Sequence, residues 1–374
     1  MYSKEEIRKL LNDGRNSSVE FKASHAKPHA LAKEIVAFSN THGGFILLGV
    51  NGDGSISGLD DRSEWEARIA DIAQNHVIPP VHLAYSEVVV DDQPIGVVKV
   101  PKGKEKPYQT ATYRILIRVG PSNRTVTKEE FVRLFQECGL FQYDFVAVER
   151  TAAADLNLDK IHQYLSRHDI DFVHEGEAGK RSLLKNSEIL HEDGKVTLAG
   201  LLVFGLNPQQ YLPNARIAFT HFKGSDTDSE IIWAQTIEGS IDSQVDAALT
   251  VIKQSMLRTF DHSNYLPNVF RELLVNACVH RDYAISRAQI RVYLFEDRLE
   301  FISPGMLPNS LTVEKLKTGV SYAVNPVIVK FMGNLRYMST LGRGIPAVCK
   351  EVEKNAKHIE FKELGEEFKV TLFF

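Results

Sequence analysis

The sequence predicts an α+β protein with more than one domain, and three observations support this fold class. The chain has 374 residues, which is enough for two or three domains that each bury a core. Short apolar runs that alternate with polar residues, typical of strands, are interspersed with longer runs at helical spacing. The composition, 43% hydrophobic and 25% charged, is that of an ordinary globular protein.

The N-terminal part begins with a strand, a helix and a second strand. Residues 17–22 alternate in the manner of a strand that is buried on one face. Residues 31–38 place apolar side chains at helical spacing, and the glycines that follow are typical of a helix end. Residues 45–50 indicate a buried strand, and Asn-Gly-Asp-Gly at 51–54 predicts a hairpin turn.

The rest of the chain shows the same mixture of elements. Apolar spacing predicts helices over residues 155–165 and 239–257. Residues 217–222 and 367–374 alternate like strands, and we expect the latter run to close the last domain.

Three polar residues interrupt an otherwise apolar helix near position 275. Glu272, Asn276 and His280 recur every fourth residue, which stacks them along one face of the helix. The intervening residues 273–275 and 277–279 are apolar, so this helix is packed nearly all round. The polar stripe either faces solvent or lines a pocket, and its spacing alone leaves both possibilities open.

The stripe resembles the N-box of the GHKL ATPases, in which a Glu and an Asn four residues apart face bound ATP. The run Asn-Ala-Cys-Val-His-Arg-Asp-Tyr at 276–283 is closer still to a divergent GHKL-like domain of bacterial regulator-like proteins. The resemblance implies ATP and Mg²⁺ as cofactors, with Asn276 as the Mg²⁺ ligand, since Mg²⁺ prefers oxygen ligands. It also implies that Glu272 is catalytic and positions or deprotonates the attacking water.

Residues 299–307 resemble a second GHKL motif, a strand that ends in Asp-x-Gly-x-Gly. Gly305 matches the first glycine of that motif. Ser303 stands where the adenine-binding Asp belongs, and Leu307 stands where the second glycine belongs. A hydroxyl can hydrogen-bond an amine, although less strongly than a carboxylate does.

Residues 340–350 resemble a third motif, the phosphate lid, in which paired glycines precede a helix. A glycine loop that opens a helix presents free backbone N–H groups to phosphate. The closing strand adds a residue that matches the last Thr of the GHKL pattern. The ATP-binding residues that these resemblances imply are Asn276, His280, Ser303, Gly305, Gly342, Arg343, Gly344 and Thr371.

The N-terminal motifs resemble the Schlafen-type AlbA domain over about residues 12–138. They are Val-Glu-Phe-Lys at 19–22, Ile-Val-Ala-Phe-Ser-Asn-Thr-His-Gly-Gly at 35–44 and Leu-Leu-Gly-Val at 47–50. This resemblance implies nucleic-acid binding, and Schlafens proper can cleave RNA with a carboxylate trio and metal.

Glu20 matches one member of that carboxylate trio, but Arg15 stands where a second member belongs. One or two carboxylates seldom hold two catalytic metals, so a metal-dependent ribonuclease centred on Glu20 is an alternative and not the primary prediction. Otherwise Glu20 and Lys22 form the exposed ion-pair face of a strand.

A basic segment lies between residues 101 and 128, with seven Lys and Arg against the single acid Glu105. Tyr108 and Tyr113 interleave with these cations. Cations on one surface can contact phosphates and aromatic rings can stack on bases, although a solvated basic hairpin explains the same pattern. The predicted nucleic-acid-binding residues are Lys22, Lys102, Lys104, Lys106, Arg114 and Arg118.

Charge, cysteines and hydropathy limit the remaining possibilities. The net charge of −4 provides no general basic field, so nucleic-acid binding requires a local patch. Cys138, Cys278 and Cys349 lie in apolar surroundings without metal-ligand spacing, which suits a reducing cytoplasm. The chain has no run as long and apolar as a membrane span and does not begin like a signal peptide. We therefore expect a cytoplasmic protein without a membrane partner.

The sequence thus predicts a Schlafen AlbA-type α/β domain at 1–140, a connector at 141–238 and a Bergerat-fold (GHKL-like) α/β sandwich at 239–374. The predicted function is an ATP-dependent nucleic-acid-binding regulator, in bacterial transcription or defence, with DNA favoured over RNA. The GHKL resemblance implies a homo-oligomer and leaves ATP hydrolysis open. The alternatives are the ribonuclease and a protein scaffold with a degenerate ATP site, which Ser303 favours.

Overall fold

The computed structural model describes residues 2–60, 64–139, 141–260, 264–307, 311–320, 322–338 and 342–374, the side chain of residue 129 excepted. The chain divides into an N-terminal unit, Met1–Phe141, and a C-terminal unit, Gln142–Phe374. Both units mix helices and strands, which confirms the predicted α+β multidomain class. Across the described ranges, no helix combines the length and the hydropathy that a bilayer crossing requires.

Four helices and eight strands make up the described part of the N-terminal unit. In chain order they are α1 (Lys4–Asp13), β1 (Val19–Lys22), α2 (Pro28–Asn40), β2 (Gly44–Leu48), α3 (Trp65–Asn75), β3 (Val77–Ile78), β4 (Ala84–Val90), β5 (Gln93–Val100), β6 (Gln109–Thr110), β7 (Leu116–Val119), β8 (Ser122–Thr125) and α4 (Lys128–Glu137). The main sheet has the strand order β1-β2-β5-β4. β1 and β2 are parallel, and the other neighbouring strands are antiparallel.

The connection from β1 to β2 forms as the sequence predicts. Proline at its first position suits the start of α2, where no N–H partner is needed. Leu31, Ile35 and Phe38 are fully buried, which confirms the predicted inward face. Gly43 follows with φ +77, and a Cβ there would lie 2.7 Å from Lys102 N, so the chain can turn into β2 only with glycine at this position.

The C-terminal unit contains eight helices and six strands within the described residues. They are α5 (Leu158–Ser166), α6 (Glu177–Asn186), α7 (Leu198–Phe204), β9 (Ile217–Phe222), β10 (Ile231–Ile237), α8 (Ile241–Thr259), α9 (Pro267–Val279), β11 (Ile290–Leu294), β12 (Arg298–Pro304), α10 (Val313–Lys317), α11 (Pro326–Asn334), α12 (Gly344–Lys354), β13 (His358–Leu364) and β14 (Glu367–Phe373).

These six strands form one sheet with the order β10-β9-β11-β12-β14-β13. β9 and β11 are parallel, and the other neighbours are antiparallel. α9 packs on β12 and lies between α8 and α12. Every second residue of β11, namely Ile290, Val292 and Leu294, is buried, so this face of the sheet forms the core with the helices.

The predicted connector belongs to the C-terminal unit. β9 and β10 lie within residues 141–238, yet they form one end of the six-stranded sheet. The apolar residues of α5 and α7 join the same hydrophobic core as those of α8 and α9. The boundary predicted at residue 239 therefore falls inside a single unit, whereas the boundary near residue 140 coincides with the division of the chain.

Candidate functional site

A cavity that is partly open to solvent lies between α9, the ends of β12 and β14, and the start of α12. It brings together most of the residues that the GHKL resemblance implies. The predicted residues that line it are Glu272, Asn276, His280, Ser303, Gly305, Gly342 and Gly344.

The polar stripe of α9 lines this cavity. The apolar residues of the helix are buried, including Leu273 and Ala277, whereas Glu272 and Asn276 are half-buried. His280 lies just beyond the last turn, and its backbone N–H donates to Asn276 O at 3.0 Å. The spacing leaves open whether the polar stripe faces solvent or lines a pocket. In the structure it lines a pocket.

Asn276 and Glu272 are hydrogen-bonded to each other within this stripe. Asn276 Nδ2 donates to Glu272 Oε1 at 2.8 Å and to Glu272 O at 2.7 Å. Among the described residues, Asn276 Oδ1 receives no hydrogen bond. Asn276 thus orients the carboxylate of Glu272 through Nδ2, and its Oδ1 remains available for a cation.

The N-terminus of α12 faces Glu272. A Cβ on Gly344 would lie 1.8 Å from Glu272 Oε1, so the absence of a side chain at Gly344 leaves room for the carboxylate in its present position. The first N–H groups of a helix lack intrahelical partners and carry partial positive charge, which favours an anion at this end of the cavity. Arg343 is exposed and is not among the lining residues, and residues 340 and 341 of the predicted lid lie outside the described residues.

The opposite end of the cavity is formed by neutral polar groups. Ser303 is buried at the end of β12, and its hydroxyl donates to Ala277 O at 2.8 Å. Burial lowers the pKa of His280 to about 4, so its imidazole is neutral at pH 7. Its Nδ1 has no partner among the described residues. Gly305 follows with φ +119, a conformation that favours glycine.

Thr371, like Arg343, is a predicted ATP-binding residue that does not line the cavity. Phe368 and Val370 of β14 line the cavity, and side chains alternate between the two faces of a strand. Thr371 therefore points to the other face of the sheet, where its neighbours in the register are Glu300 and Glu360.

Sequence reasoning missed the apolar walls of the cavity. The alternation of the strands carried a usable signal for Phe301, which follows the polar Glu300 in β12, and for Val370, which lies between the polar Lys369 and Thr371 in β14. The wall residues in the segment before α11 follow no regular pattern, so no signal in the sequence identified them. The main wall residues are Leu273, Phe301, Met306, Val329, Ile345 and Val370.

In the N-terminal unit, Arg118 and Glu20 form a buried ion pair. Arg118 Nη1 lies 2.8 Å from Glu20 Oε2 and 3.1 Å from Glu34 Oε2, and the side chains of Arg118 and Glu20 are each 1% exposed. Arg15 Nε lies 2.8 Å from Glu20 Oε1, and Lys22 Nζ lies 2.8 Å from Glu34 Oε1. The predictions that Arg118 contacts phosphate and that Glu20 lies on an exposed ion-pair face are therefore wrong.

Lys106 and Tyr108 are also buried. Lys106 is 1% exposed and pairs with Glu137 of α4, and burial lowers the pKa of Lys106. Tyr108 is 4% exposed, so its ring belongs to the core and cannot stack on a base. The interpretation of these two residues as part of a nucleic-acid surface is wrong, because both hold the segment in place instead.

One exposed part of the basic segment is the turn between β6 and β7. Tyr113 is 76% exposed and has φ +59, and Arg114 beside it is exposed. Tyr113 N–H donates to Thr110 O at 2.8 Å, and Thr110 N–H donates to Arg114 O at 3.0 Å, so the turn is closed by backbone hydrogen bonds. Lys104 is also exposed, whereas Lys22 and Lys102 are half-buried.

Two family models match the chain. Residues 16–127 match the family described as Schlafen, AlbA_2, and residues 287–372 match the family described as "Putative ATP-dependent DNA helicase recG C-terminal". The predicted architecture, an AlbA-type domain followed by an ATPase-like domain, is thereby confirmed. The second match begins after α9, so the roles of Glu272, Asn276 and His280 depend on the geometry of the cavity. Together the two domains indicate a function related to nucleic acid and to ATP.

Solved structures with similarity to the chain include two from bacteria. The DIP2311 protein from Corynebacterium diphtheriae is 19% identical with a TM-score of 0.48, and the match covers 99% of this chain and 68% of that chain. The N-terminal domain of a RecG-related protein from Nitrosomonas europaea is 21% identical with a TM-score of 0.27, covering 34% of this chain and 95% of that chain. No curated protein matched the chain.

Proposed function

We propose that this protein is a cytoplasmic, nucleotide-dependent regulator that binds nucleic acid, with DNA favoured over RNA, and acts in transcription or defence as a homo-oligomer. The observation that carries the proposal is the convergence of Glu272, Asn276 and the glycine-led start of α12 on one cavity. A carboxylate, an amide oxygen and a helix N-terminus are the groups that a nucleoside triphosphate with a divalent cation requires.

The residues of the cavity fit ATP and Mg²⁺. Asn276 Oδ1 is an oxygen ligand of the kind that Mg²⁺ takes alongside phosphate and water oxygens. The backbone N–H groups at Gly344 and the loop at Gly342 would hold phosphate oxygens. When bound, Mg²⁺ neutralises negative charge on the phosphates.

Glu272 is suited to the role of general base. Its carboxylate is held by the hydrogen bond from Asn276 Nδ2, so it has a defined orientation next to the proposed phosphate end. A carboxylate in this position accepts a proton from a water molecule. Asn276 thus both orients the base and holds the cation.

Nucleotide binding is expected to stabilise the chain. ATP or ADP with Mg²⁺, at 100-fold excess over its dissociation constant, should add about 2.7 kcal/mol to the free energy of unfolding. Asn276→Ala should remove most of the Mg²⁺-dependent part of this gain, as measured by thermal shift. Asn75→Ala, the same change at an exposed position of the N-terminal unit, should leave the gain intact. If no nucleotide shifts the unfolding temperature at millimolar concentration, the chain is a scaffold with a degenerate site.

We propose that nucleic acid contacts the turn that carries Tyr113 and Arg114. An exposed ring at the tip of a closed turn can stack on an unpaired base, and Arg114 with Lys104 can contact phosphates. Among the described residues neither of these two cations forms an ion pair, so both are available to phosphate.

Two variants separate the contributions of ring and charge. Changing Lys104 and Arg114 together to Ala should weaken binding and lower the slope of log affinity against log salt by about 0.7 to 0.9 per lost contact. Tyr113→Gly keeps the left-handed turn and should cost about 1 to 3 kcal/mol of single-strand binding without changing the slope. Arg167→Ala, an exposed arginine of the C-terminal unit, serves as the control.

Unchanged affinity in both of these variants would place the nucleic-acid surface elsewhere. Labelled RNA with Mn²⁺ should stay intact in the same assay, because Arg118 and Arg15 already engage the carboxylate of Glu20. Cleavage that Glu20→Ala abolishes would make the ribonuclease the primary function.

A further inference from the structure

One edge of the six-stranded sheet exposes apolar side chains. β10 forms this edge, because its only neighbour in the strand order is β9. Six of its seven residues are exposed, and only Ile237 is buried. Ile231, Ile232 and Trp233 are all exposed, and no other three consecutive residues within the described ranges are exposed large hydrophobics. A run of this kind is typical of a contact surface.

The other edges of the two main sheets are protected. β13, the opposite edge of the same sheet, carries Glu360, Lys362 and Glu363, and charged side chains hinder pairing with a further strand. In the N-terminal sheet, α1 packs on the edge strand β4, and every residue of the edge strand β1 except Lys22 is buried. β10 has no charged residue from Ile231 to Ile237. Of these four edges, it alone is both neutral and open.

We propose that β10 pairs with β10 of a second copy of this chain, antiparallel and about a two-fold axis, and so joins two six-stranded sheets. This inference depends on the homo-oligomer of the proposed function and names the surface through which it forms. An edge strand directs backbone N–H and C=O groups away from its neighbour. Antiparallel pairing of two identical strands satisfies these groups on both copies at once.

Charge favours an identical strand as the partner. Because residues 231–237 are neutral, no register within the strand places like charges opposite each other. The acids that flank the strand are paired with cations. Glu230 Oε2 lies 2.9 Å from Lys223 Nζ, and Glu238 Oε1 lies 3.1 Å from Arg216 Nη1. Nucleic acid does not fit this edge, because the strand offers no cation to a phosphate.

A bulge limits the length of the pairing. The register of β10 with β9 shifts between Ile231 and Trp233 and is regular from Trp233 to Ile237. A ladder of this length covers less than the roughly 800 Å² per partner of a standard interface. We therefore expect a reversible dimer that forms as the protein concentration rises.

Opposite charges at one exposed position of β10 test this pairing. Gln235 is exposed in the regular part of the strand. Gln235→Lys and Gln235→Glu each bring like charges together across the two-fold axis, and each should weaken the dimer by about tenfold or more. An equimolar mixture of the two variants should associate about as well as the wild-type protein, because the charges across the interface then attract. Sedimentation velocity of the full chain over a series of concentrations measures the dimer.

Leu364→Lys is the matched control, because Leu364 of the edge strand β13 and Trp233 of β10 are both 51% exposed. It should leave dimerisation unchanged, whereas Trp233→Lys should weaken it as the changes at Gln235 do. Dimerisation that the β10 variants leave intact, or that the mixture does not restore, would overturn this surface but not the homo-oligomer. A wild-type chain that stays monomeric at every concentration, as it would if the edge paired with a strand of another protein, would overturn both. Nucleotide binding is measured separately by thermal shift, so its failure is distinguishable from either result.

Discussion

Replacing Arg118 with methionine is expected to lower the free energy of unfolding of the N-terminal unit by about 3 to 5 kcal/mol. The guanidinium pairs with two carboxylates, those of Glu20 and Glu34, in a site where its side chain is 1% exposed. Methionine fills much of the same volume but leaves both carboxylates without this counter-charge. Asn16 O and Val19 O also lose their donors.

Denaturation of the full chain with urea, followed through the transition of the N-terminal unit, measures this effect. Arg114→Met is the matched control, because Arg114 is exposed and its replacement should change stability by less than about 1 kcal/mol. A loss below about 1 kcal/mol in Arg118→Met would mean that the buried ion pair contributes little. In that case the energy of the ion pair would no longer argue against a contact between Arg118 and phosphate.

Arg118 also illustrates what the sequence can and cannot predict. The periodicity of apolar residues predicted β1, β2 and α2 because alternation and helical spacing reflect burial directly. Charge carries no such information, since the same arginine can meet a phosphate or a buried carboxylate. A partial signal existed: Arg118 follows Leu116 and Ile117 within a short apolar strand, where an exposed cation is unusual.

The candidate site was predictable where its residues lie on one element and unpredictable where they lie on several. Glu272 and Asn276 share a helix, so their spacing alone placed them on one face. Thr371 lies on a strand whose two faces both carry buried residues. Which face meets the cavity depends on how β14 pairs with β12, and pairing is a non-local property.

The same reason explains why the boundary predicted at residue 239 falls within one unit of the structure. β9 pairs with β11, but α8 and α9 intervene along the chain. A parallel pair requires such a long connection, and nothing within residues 217–237 indicates their distant partner. The sequence of residues 141–238 therefore predicts a separate connector, although β9 and β10 within it complete the sheet.

Glu272→Gln is expected to lower the rate of ATP hydrolysis by about 10² to 10⁴-fold, the usual contribution of a general base. Glutamine has the same shape as glutamate, and its amide oxygen can still accept the hydrogen bond from Asn276 Nδ2. The glutamine side chain also fits beside Gly344, as the glutamate side chain does. The affinity for ATP should therefore stay within about threefold of the wild-type value, so that only the chemical step is affected.

Phosphate release at saturating ATP and Mg²⁺ measures turnover, and thermal shift in the same buffer measures binding. Glu353→Gln is the matched control, since Glu353 is an exposed glutamate of α12 and should leave both quantities unchanged. Wild-type turnover in Glu272→Gln would remove Glu272 from the role of base while leaving the cavity as a binding site. A wild-type chain that binds ATP without releasing phosphate would have the same consequence, because Glu272 would then act only through its contacts with Asn276 and the start of α12.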